Sequence, residues 1–224
     1  VLLLSTASWR VEQRLRAPQR RLAGLSFSSD GSRLAVGSAM GGLHIWRRRE
    51  GPSPADEVAA YEFERSLPGH ARGTWSVIPG HDAETIFSCG WDGAVARWDL
   101  REGGTRWITR AHTDAVYSLA LHPDGSRLVS GGRDQRMVVL ETTNGEPIRV
   151  LEGHGQWPVV LAFDRLGERL FSTSWFLDIK VWDFARGEDL LTLHCDDEAA
   201  LRSMVLGSGR DELFLGTERG TLLR

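Results

Sequence analysis

The sequence predicts an all-β fold built from repeats of one four-stranded unit. Three observations lead there. His70, His112 and His154 stand 42 residues apart. Trp98, Leu140 and Trp182 each lie 28 residues after one of them. Between these markers short alternating or apolar runs are separated by turn residues, and no stretch carries the apolar period of an amphipathic helix. A fixed period of this length marks a repeat array, in which one supersecondary unit recurs and buries its faces against its neighbours.

The elements follow in order from that period. Leu4 lies 42 residues before Trp46, so residues 1–5 are a third strand and the alternating stretch Trp9–Arg16 a fourth; residues 1–16 thus form an incomplete unit. Residues 22–67 are the first complete unit. Its opening turn is Ser29-Asp30-Gly31, where glycine supplies the left-handed conformation that a tight hairpin needs. Residues 48–60 interrupt the period, and their prolines and mixed charges read as a solvated loop insertion between strands three and four. Residues 74–110, 115–152 and 157–193 are three further complete units, the second with Pro123-Asp124-Gly125 as its first turn. Residues 200–224 supply three strands of a last, incomplete unit.

A second pattern runs in phase with the strands. In unit two Ser88 follows His70 by 18 residues, Asp92 follows four later and Trp98 six after that. Unit three keeps His112, Ser130 and Asp134 at the same spacings, with Leu140 in place of Trp. Unit four keeps His154, Ser172 and Trp182, with Phe176 in place of Asp. Unit one keeps only Trp46; Pro18, Val36 and Met40 occupy the other positions. Gly69–Asp99 and Gly153–Asp183, each opening on Gly-His and closing on Trp-Asp, resemble the WD40 repeat. The resemblance extends over nearly the whole chain. It implies a β-propeller, here a partial ring of four complete four-stranded blades and two incomplete ones. It also implies that each His, Ser, Asp and Trp set forms a buried network, in which Asp orients His, His bonds Ser and Ser reaches the indole N–H.

That network competes with a catalytic reading, since His, Ser and Asp are the members of a hydrolytic triad. Recurrence decides against it. A nucleophile is needed once, exposed, beside an oxyanion site, whereas this set returns with the period. We therefore expect no enzyme. The runner-up is a propeller enzyme with its site in the axial channel, which needs an unrepeated cluster of carboxylates or histidines on inner strands such as Thr74–Pro79. A third reading, nucleic-acid binding, is disfavoured by a formal charge of −3. No HExxH spacing, cysteine pair or glycine-rich phosphate loop occurs, so no metal or cofactor is expected. His81 and His122 fall in first-to-second-strand turns and read as surface residues.

With no active site, function is expected on a rim surface. By analogy with the resembled family, three positions per blade face the top: the residues three and five after the His and the residue before the Asp. These are Gly73, Trp75 and Trp91 in blade two; Ala115, Tyr117 and Arg133 in blade three; Trp157, Val159 and Trp175 in blade four. Arg21 and Arg202 flank them. Trp, Tyr and Arg are the types enriched in binding hot spots. The expected partner is a protein or peptide held by Trp75, Trp91, Tyr117, Arg133, Trp157 and Trp175, with neither nucleic acid nor membrane as partner. Two cysteines without a CxxC motif suit a reducing, cytoplasmic setting. The opening apolar run is too short for a signal-peptide core or a membrane span. The chain has no initiating Met and ends inside a strand pattern, so it reads as a fragment of a longer protein. Bacterial arrays of the resembled kind are often appended to signalling enzymes, which makes fusion to further domains an expectation.

Overall fold

The computed structural model describes residues 1–4, 11–19, 21–49, 61–175, 178–194, 201–206 and 213–223, with the side chains of 4, 12, 202, 206 and 223 excepted. Every regular element in these residues is a β-strand. The fold class agrees with the expected partial ring: four complete four-stranded antiparallel sheets stand between one of two strands and one of three.

The chain builds the sheets strictly in sequence. β1 (Leu2–Leu4) pairs with β2 (Val11–Arg14). The first complete sheet is β3 (Leu22–Phe27), β4 (Arg33–Ser38), β5 (Leu43–Arg48) and β6 (Tyr61–Leu67). The second is β7 (Thr74–Pro79), β8 (Thr85–Gly90), β9 (Ala94–Asp99) and β10 (Gly104–Arg110). The third is β11 (Val116–Leu121), β12 (Arg127–Gly132), β13 (Met137–Glu141) and β14 (Pro147–Leu151). The fourth is β15 (Pro158–Phe163), β16 (Arg169–Ser174), β17 (Asp178–Asp183) and β18 (Glu188–His194). β19 (Leu201–Leu206), β20 (Leu213–Thr217) and β21 (Leu222–Leu223) close the described chain. The first-turn glycines Gly31 and Gly125 hold φ of 68° and 76°, a region that favours glycine over any side chain bearing Cβ. The insertion read over 48–60 falls largely outside the described residues; its first residue, Arg48, ends β5.

Packing explains why the unit must repeat. The middle strands β8 and β12 are buried at nearly every position, so both faces of a sheet need cover that one sheet cannot provide. Adjacent sheets supply it. One cluster joins Ala35 and Ile45 of the first complete sheet to Val77, Ile86 and Trp98 of the second. Others join the second to the third through Phe87, Val95, Leu128 and Leu140, and the third to the fourth through Val129, Met137, Leu170 and Trp182. Leu3 and Leu15 pack on Trp46 at one end, and Leu201 and Leu215 on Ile179 at the other. The first strands β3, β7, β11, β15 and β19 pack on one another in series, which makes them the inner strands of an open arc.

One irregularity recurs. Each first strand slips in register near its start: between Leu22 and Leu25, Thr74 and Ser76, Val116 and Ser118, Pro158 and Val160, Leu201 and Ser203. A β-bulge of this kind kinks the strand and re-aims the residue it carries. In the second and third complete sheets that residue is Trp75 and Tyr117.

Candidate functional site

The second complete sheet assembles its polar set in full. His70 enters from the loop before β7, Ser88 from β8, Asp92 from the turn after it and Trp98 from β9. The Ser88 hydroxyl oxygen accepts the Trp98 indole N–H at 2.7 Å and lies 2.8 Å from His70 Nε2. His70 Nδ1 lies 3.0 Å from Asp92 Oδ1. A neutral imidazole satisfies all three contacts: Ser88 donates its proton to Nε2, and Nδ1–H donates to the carboxylate. Asp92 also accepts the backbone N–H groups of Ala71 and Ala94, at 2.9 and 3.1 Å. Burial disfavours its charge, but the His70 hydrogen bond and those backbone donors outweigh it and hold the carboxyl at about 2.

The departures at other sheets have visible consequences. In the third, His112 lies 2.9 Å from Asp134 and 2.8 Å from Ser130. With Leu140 where Trp would stand, no indole N–H reaches Ser130, and the Val138 carbonyl, 3.4 Å away, is a weak alternative acceptor for the hydroxyl proton that His112 Nε2 otherwise takes. In the fourth, Trp182 donates to Ser172 at 2.7 Å and His154 Nε2 lies 2.6 Å from the same oxygen. Phe176 lies outside the described residues, and among the described residues His154 Nδ1 is buried with no partner. Burial, aided by the charge of Lys180, lowers the His154 pKa to about 4. The first complete sheet uses another pair, His44 Nδ1 and Ser66 Oγ at 2.8 Å, which joins its third and fourth strands.

A glycine makes room for the ring in two sheets. A Cβ on Gly90 would meet the His70 ring at 2.6 Å, and one on Gly132 would meet His112 Nδ1 at 2.3 Å. Ser174 holds the corresponding position in the fourth sheet, where the aspartate is also missing. Gly90 and Gly132 stand two residues after the network serines, so their phase was open to inspection in the sequence. What they accommodate was not.

The geometry of these sets is that of a fastening. Ser88, Ser130 and Ser172 are fully buried, and in two sheets the hydroxyl oxygen is already held by an indole N–H. Among the described residues no group of three or more His, Cys, Asp or Glu is gathered to hold a metal ion, and no helix is long and apolar enough to cross a membrane.

The other singled-out residues meet on the face formed by the loops before each first strand and the turns after each second strand. Trp91 stacks on Trp75 with centroids 5.6 Å apart and planes at 30°. Trp75 meets Tyr117 edge-on at 5.8 Å, and Tyr117 stacks on Trp157 at 6.0 Å and 26°. Trp157 contacts Trp175 at 5.7 Å, and the Arg133 guanidinium sits 4.6 Å above the Trp157 ring. These five rings form one ladder across three sheets. The backbone holds its rungs: Trp91 N–H donates to Gly73 O at 3.1 Å, Arg133 N–H to Ala115 O at 2.7 Å and Trp175 N–H to Trp157 O at 3.0 Å. Trp75 and Trp91 remain 38% and 43% exposed, while Tyr117, Trp157 and Trp175 are half-buried.

Two expectations are corrected. Gly73 and Ala115 are buried rather than presented on this face; having no side chain beyond Cβ, they contribute to it only through the carbonyls that accept the turn N–H groups just described. His122 is no free surface residue. Its ring packs between Phe163 and Phe184 with centroids 5.0 and 5.2 Å away, and its Nε2 lies 3.1 Å from Gly167 O in the next sheet. Val159 is half-buried, Arg21 is exposed, and the Arg202 side chain lies outside the described set.

The ladder differs chemically from the buried tryptophans. Trp98 and Trp182 spend their N–H on serine. Among the described residues the N–H groups of Trp75, Trp91 and Trp157 and the Tyr117 hydroxyl have no hydrogen-bond partner. Burial raises the Tyr117 pKa against the opposing charge of Arg133, so its hydroxyl stays a donor at neutral pH.

Comparison with known proteins accords with this architecture. Residues 61–99 and 104–139 match the family described as WD domain, G-beta repeat. The chain is 29% identical over 107 residues to small ribosomal subunit protein RACK1 of Drosophila melanogaster, a match covering 48% of this chain and 33% of that protein. It is 30% identical over 120 residues to protein groucho of the same organism, covering 54% of this chain and 15% of the relative. With coronin-7 of Homo sapiens it shares 32% identity over 128 residues, covering 56% and 13%. The chain thus spans a third or less of the length of each of these relatives.

Proposed function

The chain belongs to the WD40-repeat family, and from that premise we propose that it is a non-catalytic interaction scaffold whose top face binds a protein or peptide. The observation that carries this reading is the aromatic ladder. Its rings present large apolar faces, and among the described residues the N–H groups of Trp75, Trp91 and Trp157 and the Tyr117 hydroxyl remain as unspent donors, the combination that makes Trp and Tyr effective binding anchors. Its rigidity favours the same reading. The bulges of β7 and β11 and the cross-turn backbone bonds fix the rings before any ligand arrives, which lowers the ordering cost of association.

The test is a pair of substitutions, Trp91→Ala and Trp175→Ala, measured against a peptide selected for binding to the unmodified chain. The double variant is expected to bind about 10- to 100-fold more weakly, with circular dichroism and thermal midpoint close to those of the parent. Unfolding of both single variants would assign the rings to the core and overturn the reading. Unchanged affinity in a folded double variant would place binding elsewhere.

A further inference from the structure

A cavity of about 220 Å³ opens beside the ladder, between the second and third complete sheets, and its lining includes Arg72, Trp91, Asp92, Arg110, Thr113 and Asp114. Trp91 belongs to both features. One face of it stacks on Trp75, and it also walls the cavity, so an extended ligand could pass from one to the other without leaving the protein surface.

The charges in this cavity are unevenly spent. Asp92 is satisfied from within: Oδ1 takes His70 and the Ala94 N–H, and Oδ2 takes the Ala71 N–H. Asp114 accepts the N–H of Ala115 at 2.7 Å and faces Arg133 at 3.8 Å. Among the described residues the exposed guanidinium groups of Arg72 and Arg110 have neither a hydrogen bond nor an ion pair. The cavity thus offers two free guanidinium forks and the Trp91 indole N–H as donors, while its carboxylates are already engaged. A guanidinium presents paired N–H groups that match the two oxygens of a carboxylate.

Resting on the top-face reading above, we propose that this cavity receives the side-chain carboxylate of an extended peptide, whose neighbouring proline or aromatic residues lie along the ladder. Charge selects a carboxylate over a phosphate. Asp92 and Asp114 line the same space, and the His70 hydrogen bond and backbone donors keep the Asp92 carboxyl charged. The two arginines and the two aspartates are equal in number and opposite in formal charge, so a carboxylate adds a single negative charge to that space, whereas a phosphate adds close to two beside the same carboxylates. The ladder selects the company that the acid keeps. Aromatic faces in series suit ring-bearing or proline side chains, and an extended proline segment docks on such grooves at low entropic cost.

The experiment pans phage-displayed random dodecapeptides on the immobilised 224-residue chain and synthesises the most enriched sequence with a fluorescein label. Enriched peptides are expected to carry Asp or Glu within four residues of a proline or aromatic. Replacing that acid by its amide is expected to weaken binding at least tenfold. The chain variant combining Arg72→Gln and Arg110→Gln is expected to lose a similar factor for the acid peptide and almost nothing for the amide peptide. Raising salt should weaken the acid peptide selectively. Enriched sequences without an acid, or arginine variants that leave the acid peptide unaffected while Trp91→Ala releases it, overturn the carboxylate pocket and leave the ladder reading standing. A phosphoserine peptide that outbinds the acid peptide overturns the choice of anion. Peptides that bind the Trp91→Ala, Trp175→Ala double variant unchanged, or a selection that enriches nothing, overturn both.

Discussion

Replacing Ser88 by alanine removes a hydroxyl that two buried side chains share. Its oxygen lies 2.8 Å from His70 Nε2 and 2.7 Å from Trp98 Nε1, and His70, Ser88 and Trp98 are all 3% exposed or less. Each bond contributes about 1 kcal/mol net, and a buried donor left without a partner costs about 1–3 kcal/mol more. The Trp98 side chain is fully buried, so Ser88→Ala is expected to destabilise its sheet by about 2–4 kcal/mol. Ser130→Ala is the internal comparison. Ser130 serves His112 at 2.8 Å, but its second contact is a weak one of 3.4 Å to a carbonyl, and no indole depends on it. Its loss is expected to cost about 1–2 kcal/mol. Repeat arrays depart from all-or-none unfolding, so the assay is urea-dependent hydrogen exchange resolved to β7–β10 and β11–β14. The reasoning is refuted if Ser130→Ala costs as much as Ser88→Ala, or if Ser88→Ala costs under about 0.5 kcal/mol, the range of an ordinary surface change.

Further predictions concern the same frame. Gly132→Ala would press a methyl into His112 and Asp134; a destabilisation of about 1–3 kcal/mol is expected from overpacking, read as a lowered denaturation midpoint. His154 has its folded-state pKa depressed from 6.5 to about 4, so the unfolded chain binds its proton first. Stability is therefore expected to fall as pH drops from about 6.5 towards 4, by on the order of 3 kcal/mol. In His154→Gln that slope should flatten; identical pH profiles would refute the assignment. The Cys89 thiol is fully buried and its pKa is pushed well up by that burial. In a Cys195→Ser background a thiol reagent should label Cys89 only as fast as the chain unfolds, and labelling at the rate of a free thiol would refute its burial.

Much of the architecture was legible because it repeats. The 42-residue spacing of His70, His112 and His154 identifies a unit that needs neighbours. The runs between turn glycines supply four strands for each complete unit. Phase also picked out the His, Ser and Asp set as recurring, which the second and third complete sheets share as a buried hydrogen-bonded set. The same reasoning fell short wherever a contact joins residues from different repeats. His122 reads as a turn residue by its position; its place between Phe163 and Phe184 depends on a ring from the preceding turn reaching the next sheet. The His44–Ser66 bond was equally hidden, because in the first sheet it replaces the familiar set at positions outside that phase.

The sequence by itself determined the repeat, the strand count of each complete unit and the identity of the buried polar sets, because these follow from spacing and side-chain chemistry along one chain. Only the tertiary structure decided that Trp91, Trp75, Tyr117, Trp157 and Trp175 form a single ladder, and that Arg72 and Arg110 share a cavity. The physical reason is that both arrangements depend on how far one sheet turns against the next and on a one-residue bulge at the head of each inner strand. Neither rotation nor bulge leaves a mark in residue spacing, since the extra residue recurs in every first strand and is absorbed into the period.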